Sequence, residues 1–235
     1  MRVLEVRNYG EMSALAAELI GAQVLLKPRC VLGLATGSSP IGTYERLVEA
    51  HRAGRLDFSQ VRTVNLDEYC GLRGDDPNSC RYFMDHHLFS RVNLQRENTH
   101  LPNGAAPDLE EECRRYEALI QSLGGVDLQL LGIGRNGHIG FNEPSDSFPP
   151  VVHTVQLTES TIQANSRLFD RVEDVPTRAI TMGIGTILKA RRILLIAGAD
   201  KREIVEKALT GPITPWVPAS VLQLHRDVTV ITCGE

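Results

Sequence analysis

The chain has 235 residues, 42% of them apolar and only 5% aromatic, so its core must be built mainly from aliphatic side chains. The net charge is -4, from 25 basic and 29 acidic residues with no basic run, which argues against a nucleic-acid or anionic-membrane partner. No run of about 18 apolar residues predicts a membrane span, and the opening MRVLEVRNYGEM lacks the apolar core of a secretion signal.

In chain order, MRVLEVR reads as a strand. EMSALAAELIGAQVLLK has apolar residues at helical spacing and is stopped by Pro28. RCVLGLA is a buried strand. PIGTYERLVEAHRAG is a helix with Pro40 near its first turn and Gly54 at its end. VRTVNLD is a strand, and NSCRYFMDHHLFSRV a helix capped by Asn78. PDLEEECRRYEALIQSLGG is a helix, and VDLQLLG a strand. Residues 133 to 150 fit neither period. VVHTVQL, RAITM, RRILLIAG and DVTVITCG read as strands. TESTIQANSRLF, GTILKAR and ADKREIVEKALTG read as helices, and ASVLQLHR as a helical turn.

This alternation predicts an α/β fold, an open and mainly parallel sheet with helices on both faces, in a Rossmann-like three-layer sandwich. Residues 1 to 235 are expected to form one domain. In such sheets ligands gather at the carboxyl ends of the strands, so the residues after each strand are the candidate site. Five cysteines, at 30, 70, 80, 113 and 233, show no metal-type or CxxC spacing, and reduced thiols in a cytoplasmic protein are expected.

After RCVLGLA comes Thr36-Gly37-Ser38-Ser39-Pro40 and then a helix. A turn of Gly and hydroxyl residues at a helix N-terminus suits a phosphate; an ordinary capping turn is the alternative. After VRTVNL comes Asp67, placed for general-base work, or else, with Glu68, a helix-capping pair. After VDLQLL comes GIGRNGHIGFNEP, which matches the G-x-G-x-x-G dinucleotide fingerprint. Yet Pro144, Pro149 and Pro150 leave no room for the helix such a site needs, so no nicotinamide or flavin cofactor is expected. Its polar residues carry more. A carboxylate, Glu143, can fix the tautomer of His138 and leave the other imidazole nitrogen free for proton transfer. Lys201 stands at a helix start, where it opposes the dipole unless an anion binds there. Arg167 is a second candidate for that anion; a solvated surface charge is the alternative for each, and the simpler reading of Arg167 taken alone. No clustered His, Cys or carboxylates imply a metal.

The motifs LATGSSP, NLDEYCGL, PNSCRYFM, GIGRNGHIGFNEP, ANSRLF and LQLH stand in the order seen in glucosamine-6-phosphate deaminases. The chain resembles that family over nearly its whole length. The resemblance implies an enzyme of amino-sugar catabolism that turns glucosamine 6-phosphate and water into fructose 6-phosphate and ammonia. His138 would open the pyranose ring, held by Glu143 and assisted by Asn136. Asp67 would move a proton from C2 to C1. Thr36, Gly37, Ser38, Ser39, Arg167 and Lys201 would hold the phosphate. Some members carry Asp where this chain has Asn136, which implies an orienting or hydrogen-bonding role for the amide.

The resemblance also implies a lid at about 145 to 175. Regulated hexameric members have a longer tail and basic residues soon after the FNEP motif, where this chain has His153 and Val155. That points to the short, unregulated type, a monomer or small homo-oligomer whose partner is a small amino-sugar phosphate. The rival readings are a 6-phosphogluconolactonase, whose loop continues SLFP rather than FNEP, and a non-catalytic sugar-phosphate sensor.

Overall fold

The computed structural model describes residues 1–166, 169 and 171–234. Strand β1 (Arg2–Val6) leads into helix α1 (Tyr9–Leu26), whose N-terminus is capped by the Asn8 side chain accepting from the Glu11 N–H. Next come β2 (Val31–Leu34), α2 (Ile41–Arg52), β3 (Arg62–Asn65) and β4 (Asp67–Tyr69). Helix α3 (Cys80–His87) leads to β5 (Thr99–His100), α4 (Leu109–Ser122) and β6 (Leu128–Leu131). The remainder is β7 (His153–Gln156), α5 (Glu159–Asn165), β8 (Arg178–Thr181), α6 (Ile184–Leu188), β9 (Arg192–Ala197), α7 (Arg202–Thr210) and β10 (Val228–Cys233).

Seven strands form one sheet in the order β1-β10-β9-β6-β2-β3-β5, and every pairing in it is parallel. Residue parity along the strands explains the layers. Leu32, Leu34, Leu128, Leu130, Leu194, Ile196 and Ile231 pack with α1, α2 and α3 in one apolar cluster. Val31, Leu131, Ile193, Leu195, Val228 and Val230 pack with α4, α6 and α7 in the other. The expected three-layer sandwich is present.

A second, smaller sheet was not expected from the sequence. Its three strands run β4-β8-β7, all antiparallel. One residue, Leu66, separates β3 from β4; its N–H bonds the Leu34 carbonyl and its carbonyl accepts from Met182. The chain therefore leaves the parallel sheet at Leu66 and joins the small one, with Asp67 opposite Thr181. The run VRTVNLD is two short strands rather than one. The cap of α3 is also corrected. Ser79 accepts from the Tyr82 N–H, whereas the N–H of Asn78 bonds Asp76. Among the described residues, no helix is long and apolar enough to cross a membrane.

Candidate active site

Four neighbouring parallel strands, β9, β6, β2 and β3, release the chain at the same edge of the large sheet. Lys201 lies beyond β9, the loop 132–144 beyond β6, the turn 36–40 beyond β2 and Asp67 beyond β3. The fold thus converges the motifs that the sequence scatters over 165 positions, as expected for the carboxyl ends of an open parallel sheet.

Asp67 is buried, with a relative exposure of 6%. Burial, reinforced by the charge of Glu68, pushes its carboxyl up to about 7, while a hydrogen bond from the Cys80 thiol pulls the other way. That thiol lies 3.6 Å from Asp67 Oδ1 and 3.6 Å from Thr36 Oγ1. Glu68 has a different task. Its carboxylate accepts from the backbone N–H groups of Tyr69, Cys80 and Arg81, each at 2.9 Å, and so caps the N-terminus of α3. The adjacent acids therefore part company, one capping and one facing the site.

The loop after β6 is irregular, with a tight turn marked by the bridge between Ile139 and Asn142, and the next helix is α5 at Glu159. A dinucleotide site has no helix to rest on. Instead the glycines admit His138 and Asp67. A methyl group on Gly134 would lie 2.4 Å from both Cε1 and Nε2 of His138, so the imidazole packs directly on that backbone. Gly140 has φ +57°, and a methyl there would meet Thr181 Oγ1 at 2.8 Å and Asp67 Oδ2 at 3.7 Å. The base candidate and the histidine loop are thus neighbours across Gly140.

Glu143 sits at the centre of the loop's polar network. Its Oε2 accepts from Asn136 Nδ2 at 2.6 Å, and its Oε1 accepts from the Thr161 hydroxyl. Asn136 Oδ1 accepts in turn from the His138 N–H at 3.2 Å. His138 Nδ1 lies 3.4 Å from Glu143 Oε2, within reach of charge attraction but without hydrogen-bond alignment. Such contacts are commonly long before substrate binds. Burial raises the Glu143 carboxyl, yet the nearby His138 and the bonds from Thr161 and Asn136 outweigh it and hold it at about 2. Glu143 is therefore a carboxylate at neutral pH, and an amide at 136 is its natural donor.

The turn 36–40 leads into α2, where no side chain caps the helix. Tyr9 pins it from outside: its hydroxyl donates to the Ser38 carbonyl at 3.1 Å and accepts from the Gly42 N–H at 2.8 Å. Ser38 is exposed, and Thr36, Gly37 and Ser39 are half-buried. Lys201 precedes α7 and donates to Asp200 Oδ2 at 2.9 Å; Asp200 also faces Arg135 at 3.7 Å. That pair of contacts links Lys201 to the loop of His138. Arg167 lies outside the described residues. No cluster of three or more potential metal ligands occurs among the described residues. Cys80, Thr161 and Arg135 were not singled out by sequence, because their partners lie on other elements or their residue types suggest nothing.

Comparison with known proteins points the same way. Residues 10–231 match the family model of glucosamine-6-phosphate isomerases/6-phosphogluconolactonase. The glucosamine-6-phosphate deaminase of Lachnoclostridium phytofermentans is 58% identical over 236 residues, covering 100% of both chains. That of a Geobacillus species is 58% identical over 232 residues, 98% of this chain and 92% of the relative. A solved structure described as a monomeric glucosamine-6-phosphate deaminase superposes with a TM-score of 0.97 at 51% identity, over 99% of this chain and 97% of the other. The 6-phosphogluconolactonase of Thermotoga maritima has a TM-score of 0.78 at 20% identity, over 100% of this chain and 99% of the other, a likeness of fold alone.

Proposed function

The chain belongs to the glucosamine-6-phosphate isomerase/6-phosphogluconolactonase family, and on that premise we propose that it acts as a glucosamine-6-phosphate deaminase. The enzyme converts glucosamine 6-phosphate and water to fructose 6-phosphate and ammonia. The observation that carries this reading is Asp67, a buried carboxylate pushed up to about 7, next to the loop that holds His138 against ionised Glu143.

The roles come from the chemistry. With Nδ1 turned to Glu143, His138 keeps Nε2 for proton transfer. It takes the proton of O1 and delivers it to O5, which opens the ring to the aldehyde. Glu143 stabilises the imidazolium formed on the way, and Asn136 and Thr161 hold Glu143. Asp67 then removes the C2 proton, giving an enolamine, and returns a proton to C1. The resulting C2 iminium adds water and loses ammonia, leaving the ketone. A carboxylic acid with a pKa near the working pH suits both halves of that transfer. The turn from Thr36 to Ser39, Lys201 and Arg167 hold the phosphate. Support for this is the α2 N-terminus behind the turn and the side chain of Lys201, which is mostly buried.

Segment 145–175 acts as a lid in this reading, supported by the bond from Thr161 of α5 to Glu143. A monomeric state is suggested by the solved relative at TM-score 0.97. Five free thiols accord with a reducing, cytoplasmic setting. The decisive experiment measures ammonia release from glucosamine 6-phosphate beside hydrolysis of 6-phosphogluconolactone. Lactone turnover without ammonia would overturn the assignment. His138→Gln should slow the reaction chiefly at ring opening.

A further inference from the structure

Cys80 is buried, with 3% exposure, and opens helix α3. Its sulfur touches both the first residue of the 36–40 turn and Asp67, at the same distance of 3.6 Å. Buried beside the charges of Glu68 and Asp67, its thiol is pushed well above the ordinary range, so the S–H proton stays in place at neutral pH. When Asp67 is ionised it offers no proton, and the thiol must donate to it. The sulfur can then only accept from Thr36, and the Thr36 hydroxyl proton is committed to the sulfur.

We propose that Cys80 is a positioning residue: its thiol joins Thr36 to Asp67 in a one-directional hydrogen-bond chain that orients the base and leaves the Thr36 hydroxyl an acceptor. The Thr36 hydroxyl then meets a substrate hydroxyl or amine through its free lone pairs, and the turn holds the phosphate through its backbone N–H groups and the Ser38 and Ser39 hydroxyls. This rests on the deaminase reading above. It adds that the phosphate turn and the base are a single hydrogen-bonded unit.

The titratable groups facing Asp67 are Glu68 and Tyr69 of β4, Cys80 of α3, Tyr44 of α2 and Tyr116 of α4. Of these, Cys80 donates a hydrogen bond to the carboxylate. The acid limb of the kcat/KM profile reports the base in the free enzyme. Cys80→Ala should therefore move that limb up by about 0.5 to 1 pH unit, the scale of one hydrogen bond. Cys80→Ser keeps a proton donor and should hold the limb near the wild-type position, below that of the alanine variant. Thr36→Val alone should shift the limb in the same direction by less, and should add nothing in the Cys80→Ala background.

Ammonia release by the wild type is measured first. Its absence defeats the deaminase reading itself, whatever Cys80 does. With that activity established, an acid limb in Cys80→Ala that overlays the wild type overturns the proposal. Simple additivity of the Thr36→Val and Cys80→Ala shifts overturns it too. Thermal melts identify a variant that does not fold; if Cys80→Ala is one, an unchanged limb in Thr36→Val overturns it.

Discussion

The hydroxyl of Thr161, on helix α5, donates to Oε1 of Glu143, eighteen positions earlier in the chain. This bond ties the segment after β7 to the loop of His138. It also satisfies one side of a buried carboxylate whose other oxygen is held by Asn136.

Thr161→Val keeps the shape and removes the donor. A hydrogen bond to a charged group contributes about 1.5–3 kcal/mol, so chemical denaturation should show a loss of that order. Ring opening should slow as well, because Glu143 is then free to turn from His138. Thr161→Ser should restore both. A valine variant with wild-type stability and turnover would remove Thr161 from the site's polar network.

Asp67→Asn should lower turnover by about 10²- to 10⁴-fold, the usual worth of a general base, while substrate-analogue binding persists. Its effect on stability has the opposite sign. The folded-state pKa of Asp67 lies above its ordinary 3.8, at about 7, so the folded protein binds more protons than the unfolded chain between those values. Wild-type stability accordingly falls as pH rises through that window. Asparagine removes this slope. The variant should gain about 2–4 kcal/mol over wild type on going from pH 4 to pH 8. Urea melts at the two pH values measure it, and equal differences at both would contradict a buried, reluctantly ionised Asp67.

Gly134→Ala tests the seat of the imidazole. The added methyl would stand 2.4 Å from His138 Nε2, so the ring must move. Displacement by about 1 Å can cost on the order of 10²-fold in rate. We expect kcat to fall by roughly that factor with the fold retained. Far-UV circular dichroism together with steady-state ammonia assays separates the two effects. Unimpaired kcat would mean that His138 is not poised by Gly134.

The parallel sheet was legible because its buried strands are short aliphatic runs bounded by turns, and because the helices carry a 3.6-residue apolar period. The antiparallel sheet was not. Asp67 to Tyr69 makes only three strand residues, and its partner β8 lies more than a hundred positions away. The principal groups of the proposed site, Asp67, His138 and Glu143, stood out in the sequence by their place after strands and by the failure of the dinucleotide pattern at Pro144. Cys80 was hidden by its ordinary residue type and Thr161 by distance. Asn78, the cap expected from the sequence, gives way to Ser79 because the Ser79 side chain is the one that accepts from the Tyr82 N–H, and both residue types cap well.

Glu68→Gln separates the two carboxylates of β4. Glu68 accepts from three backbone N–H groups at the start of α3. Glutamine keeps one acceptor oxygen, turns an NH2 group toward a donor, and removes a negative charge from a helix N-terminus. The variant should lose about 1–3 kcal/mol of stability. Its second effect concerns the base. The charge of Glu68 raises the pKa of Asp67, so its removal favours the ionised form. The acid limb of kcat/KM should move down, toward the ordinary carboxylate range, opposite in sign to the shift expected for Cys80→Ala. A stability loss with an unmoved acid limb would confine Glu68 to capping α3 and assign the raised pKa of Asp67 to burial alone.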